Sequence, residues 1–532
     1  MTSLLRRGSR HSPGVFRSFR ARFDDAVALF GAQSFVLQVA SNGGECRRTF
    51  AEFRADVEAV RKVIWSEFDS VPVVATHAGN TYAHLVWIVA ALLENKVLCP
   101  MNPNETLERT ESKLASLRDS YRLVSIDEAA VQHLGARPMV LPDGIVKEKE
   151  FRAPLSPRDP DSPFILIFTS GTTGYSKVVQ QTERGVLSNV DDLIRHHRLS
   201  PRDRICTPLP VFHVNALEFS FFCSLLSGAG FVLFEQFDLL RIFKVLRRET
   251  VTILSVIPQM AHLLVQESER FKASVGESFR YVLTAAAPLP PSLARDWVQK
   301  FADQVRILQG YGLSEAVNFS ATMPTNLSFD LYRRLLLDFQ RPSIGVALDG
   351  NDILVVDEQG QHCVAEQIGE ICIRGTNVML GYRGQEDQQP FAGEMLHTGD
   401  TGFYVDLEGG ERCFFVTGRK KDVIKTLGET ISLVEIDDVL MELSPGTQAI
   451  AVGFQNIYEG EAVGVVVKNS PTARIDDVRR VLSERLPASM WPRRIFKTDQ
   501  DVKTASGKSC RWKFKELFKD LEHIHLGRES QD

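Results

Sequence analysis

At 532 residues the chain is too long for one ordinary core, and with 44% hydrophobic and 24% charged residues it reads as a folded, soluble protein of two or more domains. A formal charge of -5 offers nucleic acid no global positive field, and eight cysteines with no C-x-x-C pair argue against structural zinc and disulfides and fit a reducing, cytosol-like compartment. LVWIVAALL stops at Glu94, Asn95 and Lys96, short of the roughly 18 to 20 apolar residues that span a bilayer.

The N-terminal run MTSLLRRGSRHSPGVFRSFRAR is arginine-rich and free of acids until Asp24, as organellar transit segments are. VFRSFRARFDDAVALF reads better as an amphipathic first helix, so the expected location is the cytoplasm, with an organellar address as the minor alternative. Further on, FILIF, Phe164 to Phe168, has the length and apolarity of a strand buried on both faces, and TSGTTGYSK comes directly after it. Glycines after a buried strand bring backbone N–H groups close to an anion, hydroxyls add donors and Lys177 adds charge, which together describe a phosphate cradle. It is not a Walker loop, because Ser176 precedes Lys177, and SGKS at Ser506 to Ser509 fails likewise with Val502 in place of the first glycine. Taken alone, the loop also reads as a surface turn of small polar residues.

The chain then alternates: a helix over Arg184 to His197, strand GFVLFE, helix DLLRIFKVLRRE with Leu239, Ile242, Phe243 and Leu246 on one face, and strand VTILSVI. Helix MAHLLVQESE, strand YVLTAA, helix PPSLARDWVQKFA and strand VRIL continue the pattern, which predicts a largely parallel α/β sheet covered by helices. From about Arg341, the runs NDILVVDEQGQ, GEICIRG and RCFFVTGR predict a barrel-like antiparallel region. Beyond Gly418, DDVLMEL, AVGVVVK and DDVRRVLSERL predict a small α+β domain. We therefore expect a large domain over residues 1–420 and a small one over 421–532.

Open α/β sheets bind ligands at the C-terminal ends of their strands, so the loops after FILIF, YVLT and VRIL are expected around one crevice. They bring the cradle, the small residues of AAAPLP, and QGYGLSE with an aromatic at Tyr311, a hydroxyl at Ser314 and a carboxylate at Glu315. That set suits a magnesium nucleotide.

With PLPVFHVNA, GEICIRGTNVMLGY, HTGD, GRKKDVIKTLGETISLVEID and KTASGKSCR in the same order, the chain resembles the adenylate-forming superfamily: acyl-CoA synthetases, peptide-synthetase adenylation domains and firefly-type luciferases. It is closest in character to the acyl-CoA synthetases. The resemblance implies that a carboxylic acid attacks the α-phosphate of Mg-ATP to give an acyl-adenylate and pyrophosphate. The thiol of CoA, or of a carrier-protein phosphopantetheine, then displaces AMP. Delivery to a carrier protein or an amine, a luciferase-like oxygenase, and a nucleotide-binding pseudoenzyme are the rival readings. Activity without CoA, or ATP binding without pyrophosphate exchange, would discriminate among them.

The resemblance also implies roles for single residues. Thr169, Ser170, Gly171, Thr172, Thr173, Gly174 and Lys177 would hold the β- and γ-phosphates, with Thr172 and Lys177 counted as catalytic. In the run Gln309, Gly310, Tyr311, Gly312, the tyrosine would stack on adenine beside Ala286 and Ala287, Ser314 would contact the α-phosphate, and Glu315 would hold magnesium. Asp400 and Arg419 match ribose contacts, Lys508 the catalytic lysine of the small domain, Lys421 the hinge, and Thr426, Leu427 and Gly428 the thiol tunnel. His213, Val214, Asn215 and Ala285 would border the acyl pocket, His213 also being readable as a core histidine. FHVNALEFS lacks the aspartate that holds an amino acid's ammonium group, which disfavours α-amino acids as substrates. The chain departs from the family in Tyr175-Ser176-Lys177-Val178, in Ala285 where glycine is usual, and in Leu427 before Gly428. The added methyl of Ala285 is expected to narrow the acyl pocket.

Overall fold

The structure, a computed structural model, describes residues 16–117, 120–142, 156–169, 177–385, 389–426, 429–443, 447–456, 460–470, 474–504, 509–514 and 523–525. The first helix, Phe19–Phe30, starts at Ser18, whose hydroxyl accepts from Ala21 N, and it buries Phe19, Phe23, Ala26 and Val27. Helix Phe50–Phe68 opens with a capping box between Thr49 and Glu52. Just past its other end, the Lys96 ammonium donates to the carbonyls of Phe68, Asp69 and Val71 at 2.8 to 3.0 Å, a cation where the helix dipole is negative.

The described strands form three sheets. One runs parallel through Val36–Val39, 230–234, 204–207, 253–256, 281–284 and 306–309, with Glu45–Thr49 antiparallel at its edge. It then continues without a break into antiparallel pairing through 319–322, 345–347, 412–419, 395–406, 369–375 and 351–356. The antiparallel region read from the sequence is therefore an extension of the parallel sheet. Helix Pro291–Phe301 covers this sheet with Leu293, Ala294, Trp297 and Phe301, a helical period, and Trp297 Nε1 donates to Val305 O at 2.8 Å.

The sequence reading places FILIF, YVLT and VRIL in one sheet, and here the structure corrects it. The strands Tyr281–Thr284 and Arg306–Gly312 are neighbours, but Pro163–Thr169 belongs to a second sheet, parallel to Val97–Met101. FILIF finds its partner in the unit built just before it, alongside Val73–His77 and Tyr121–Ser125, and completes that sheet instead of opening the next. The segment C-terminal to the cradle, left unassigned by the sequence pattern, is a strand: Lys177–Thr182 runs antiparallel to Pro163–Thr169 as the second strand of a hairpin, and the helix begins at Glu183, one residue from the expected Arg184. Val178, Val179, Gln181 and Thr182 are buried along this strand, a pattern obscured by its polar glutamines.

The third sheet is built only from residues after 422, around cores of its own. Its helix Leu433–Leu440 carries Asp438, which forms a buried ion pair with Arg341 of the large sheet's region. Burial raises the Asp438 carboxyl to about 6 against the pull of Arg341.

Candidate active site

Asp400 and Arg419 stand directly opposite each other in the ladder between Met395–Asp406 and Arg412–Arg419. The Asp400 carboxylate, 4% exposed, accepts from Arg419 Nε at 2.6 Å and from the Tyr311 hydroxyl at 2.8 Å. Its negative charge holds the Arg419 guanidinium above its ordinary range, while burial and then Asp400 push the Tyr311 phenol up. The preceding turn is fixed from below. Gly399, at φ 73, donates its N–H to Glu370 Oε1 at 3.0 Å, and Thr398 Oγ1 donates to Ile371 O at 2.6 Å and accepts from Asp400 N at 3.0 Å. Glu370 Oε2 meets both His397 Nδ1 and Lys420 Nζ at 2.8 Å. Donor atoms of Glu370, Cys372 and His397 come within 4.8 Å of one another, a trio the sequence spacing hides, and Lys420 pairs with the same Glu370 oxygen that meets His397.

Tyr311 sits between two glycines whose role is steric. A Cβ on Gly312 would fall 1.5 Å from Asn318 O, and one on Gly310 would meet the Phe319 ring at 2.9 Å. The turn after the neighbouring strand carries Ala286 at φ 69, a left-handed conformation for a residue with a Cβ, beside buried Ala285. Thr284 and Gln309 are register partners, so the AAAPLP and QGYGLSE loops leave the sheet side by side, as the strand pattern predicts.

At the other end of the crevice, Thr169 and Lys177 are cross-strand partners at the mouth of the hairpin. Ser170, Gly171, Thr172, Thr173 and Gly174 lie outside the described residues. The Lys177 ammonium is 4.2 Å from the Tyr382 ring centroid, and the Tyr382 hydroxyl donates to Glu315 Oε1 at 2.8 Å. Burial, then repulsion from Lys421, lowers the affinity of Lys177 for its proton, and Glu315 opposes them. The sequence-predicted hinge residue is thus electrostatically coupled to the cradle lysine. Tyr382 is not singled out by the sequence pattern, although it closes the motif GEICIRGTNVMLGY. Its strand Gly381–Tyr382 adds to Lys177–Thr182, which is why ring, ammonium and carboxylate converge. Gln181, from the same strand, reaches across to the other sheet and donates from Nε2 to Ser314 O at 3.1 Å and Val317 O at 3.0 Å.

His213 and Val214 lead into a π-helical segment, Asn215–Phe222. The His213 ring packs on Phe212 with centroids 4.6 Å apart. Asn215 is buried and accepts from Ser255 Oγ at 3.4 Å, which ties the segment to the parallel sheet one strand from Ala285. Its Nδ2 has no partner among the described residues, and neither carboxyl oxygen of fully buried Glu218 has one.

Lys508, Leu427 and Gly428 lie outside the described residues. Their flanks are informative. Lys503 and Ser509 form an antiparallel bridge, and Asp437 accepts from Ser509 Oγ at 2.8 Å and from Arg511 at 2.5 Å. The KTASGKSCR and GRKKDVIKTLGETISLVEID motifs are therefore joined through Asp437. Thr426 is buried at the end of Val423–Thr426.

A family model described as AMP-binding enzyme matches residues 16–383. The chain belongs to that family. Among relatives, it is 31% identical over 329 residues to a sulfoacetate–CoA ligase of Cupriavidus necator, covering 61% of each chain. To an oxalate–CoA ligase of Arabidopsis thaliana it is 25% identical over 523 residues, 93% of this chain and 96% of the other. Its fold matches o-succinylbenzoate CoA synthetase from Bacillus subtilis in complex with an acyl-adenylate, with TM-score 0.76 and 22% identity over 93% of this chain and 98% of that one. ATP-bound MatB from Rhodopseudomonas palustris matches with TM-score 0.75 and 24% identity over 93% and 99%.

Proposed function

We propose that this chain is an ATP-dependent acid–thiol ligase that makes an acyl-adenylate and transfers its acyl group to CoA. The observation that carries the proposal is the convergence of Lys177, Tyr382 and Glu315 at one end of the crevice with Tyr311, Asp400 and Arg419 at the other. Two relatives named CoA ligases, for sulfoacetate and for oxalate, support the acceptor.

In this reading Tyr311 lies against adenine beside Ala286 and Ala287. A carboxylate has about four lone-pair sites, so Asp400 keeps capacity for ribose hydroxyls after accepting from Arg419 and Tyr311. Lys177 and the 169–174 cradle hold the β- and γ-phosphates, and Ser314 contacts the α-phosphate. Glu315, with one oxygen on Tyr382, fits magnesium, which takes one or two carboxylates and neutralises phosphate charge when bound. The acid enters past His213, Val214, Asn215 and Ala285. Its carboxylate oxygen bonds to the α-phosphorus as the bond to the β-phosphate breaks, and pyrophosphate leaves. Two anions must approach, so Lys508 is assigned to bridge them.

For the second step we assign residues 1–420 and 421–532 to a large and a small domain hinged at Lys421. The small domain turns so that Thr426, Leu427 and Gly428 line the thiol's entrance. The thiol loses its proton, its sulfur bonds to the acyl carbon, and AMP departs. The test incubates the protein with Mg-ATP and a panel of acids, with and without CoA, and reads acyl-AMP, AMP and acyl-CoA by mass spectrometry. Acyl-CoA from one acid class supports the proposal, acyl-AMP that persists with CoA present points to another acceptor, and no adenylate from any acid counts against it. Lys508→Ala should lose most adenylation while still converting a supplied acyl-adenylate to thioester.

A further inference from the structure

The turn that carries Ser314 and Glu315 is strained. Val317, β-branched and shut off from solvent, sits at φ 62 and ψ -75, and Asn318 N closes on Ala316 O at 2.8 Å. This is the rare positive-φ γ-turn. Such backbone costs of order 1–3 kcal/mol and persists only where its surroundings impose it. Three buried amides do so: Gln181 holds Ser314 O and Val317 O, Asn377 Nδ2 donates to Ala316 O at 2.9 Å, and Asn189 Nδ2 donates to Phe319 O at 2.7 Å.

Both hydrogens of Gln181 Nε2 are used on the turn, which leaves Oε1 as an acceptor. The Glu218 carboxyl lies close enough to this side chain for the Gln181 amide to favour its charged form, yet neither carboxyl oxygen nor Gln181 Oε1 has a partner in full hydrogen-bond geometry among the described residues. An ionised carboxylate can only accept, and with both Nε2 hydrogens spent on the turn it would leave its own oxygens and Gln181 Oε1 without a donor in a dry interior. A proton-bearing carboxyl donates and satisfies both. Burial, the largest influence, pushes Glu218 well above the usual carboxylate range and outweighs the opposing pull of the nearby Gln181 amide.

We propose that Gln181 is a positioning residue that holds the Ser314–Asn318 turn in its strained, site-forming shape, and that a protonated Glu218 carboxyl donating to Gln181 Oε1 fixes the amide's orientation. The functional consequence rests on the roles assigned to Ser314 and Glu315, but two of the three readouts need no substrate.

The first is the infrared band of a protonated carboxylic acid at pH 8, above the value near 6 to which burial raises Asp192 and Asp438. It should be present in the full-length protein and absent from Glu218→Gln. The second is hydrogen exchange of residues 314–319, which should accelerate in Gln181→Leu, or in the shorter amide Gln181→Asn if the leucine variant does not fold. The third is ATP–pyrophosphate exchange. Gln181→Leu and Glu218→Leu should lower kcat about 30-fold with little change in KM for the acid, a misplacement effect, and Glu218→Gln, which keeps a donor, should recover to within about threefold. Absence of the band, unchanged exchange in both Gln181 variants, or a Glu218→Gln as impaired as Glu218→Leu would each overturn the proposal. If no variant or wild-type protein makes an adenylate, the first two readouts still decide whether Gln181 and Glu218 act as described.

Discussion

Asp400 and Glu218 are both carboxyl groups shut away from water, at 4% and 0% exposure, yet the fold treats them in opposite ways. Asp400 receives a guanidinium and a phenol, with the Tyr311 ring and the Arg419 side chain held in turn by it. Neither Glu218 oxygen has a partner in full hydrogen-bond geometry among the described residues, and the Gln181 amide beside it is uncharged. The difference teaches how to read a buried acid. One met by a donor and a cation keeps lone pairs with which to accept more. One without them keeps its proton and becomes a donor.

The comparison breaks first at Asp400. Asp400→Ala leaves Arg419 and Tyr311 without their shared partner and removes the proposed ribose contact, so ATP–pyrophosphate exchange should fall at least about 100-fold, on the scale of losing a charge-assisted contact. An effect under about threefold would remove Asp400 from the site.

A control for saturation without function is Glu249, whose carboxylate is met by Arg47, Arg204 and Arg248 far from the crevice. Hydrogen bonding to Arg47 leads the causes that hold it down to about 2, against an ordinary 4.5. A depressed acid stabilises the fold above its unfolded pKa and loses that contribution as pH falls through the folded one. Solvent screens part of this attraction, so wild type should exceed Glu249→Gln by about 2 kcal/mol near pH 7, below the full linkage value, with the gap closing between about pH 4.5 and 2 and activity unchanged once folded. Thermal melts across that range check the sign.

Smaller effects sharpen the acyl side and the phosphate end. Ala285→Gly should raise kcat/KM for acids one methylene larger by about 10-fold relative to the native acid, the usual worth of a methylene in a pocket. Tyr382→Phe keeps the ring under Lys177 but not the hydrogen bond to Glu315, and should lower adenylation about fivefold, near 1 kcal/mol.

That Tyr311 and Asp400 come together was legible in the sequence because the parts are local: QGYGLSE and HTGD each present their residues within a few positions, and the parallel strand that carries Tyr311 announces itself by an apolar run. Gly312 was part of a motif, but the reason it must be glycine, the carbonyl of Asn318, became visible only in the fold. Gln181 was invisible for a different reason. It lies in KVVQQT, which reads poorly as a strand, and acts on carbonyls 133 and 136 residues away. Tyr382 meets Glu315 across 67 residues through a two-residue edge strand, below the length at which a periodic pattern can be read. Sheet membership failed likewise, since an apolar run announces a buried strand without naming its neighbour.

The ion pair between Arg341 and Asp438 decides what kind of contact joins the third sheet to the rest. An apolar patch of similar size acts as adhesive, because separating it exposes surface that water rejects. Two separated ions are welcomed back by water, so the hydration regained offsets most of the attraction lost. The pair therefore sets orientation more than grip: it dictates how the two parts meet while letting them come apart at little net cost, and rising ionic strength loosens it further as its charges emerge.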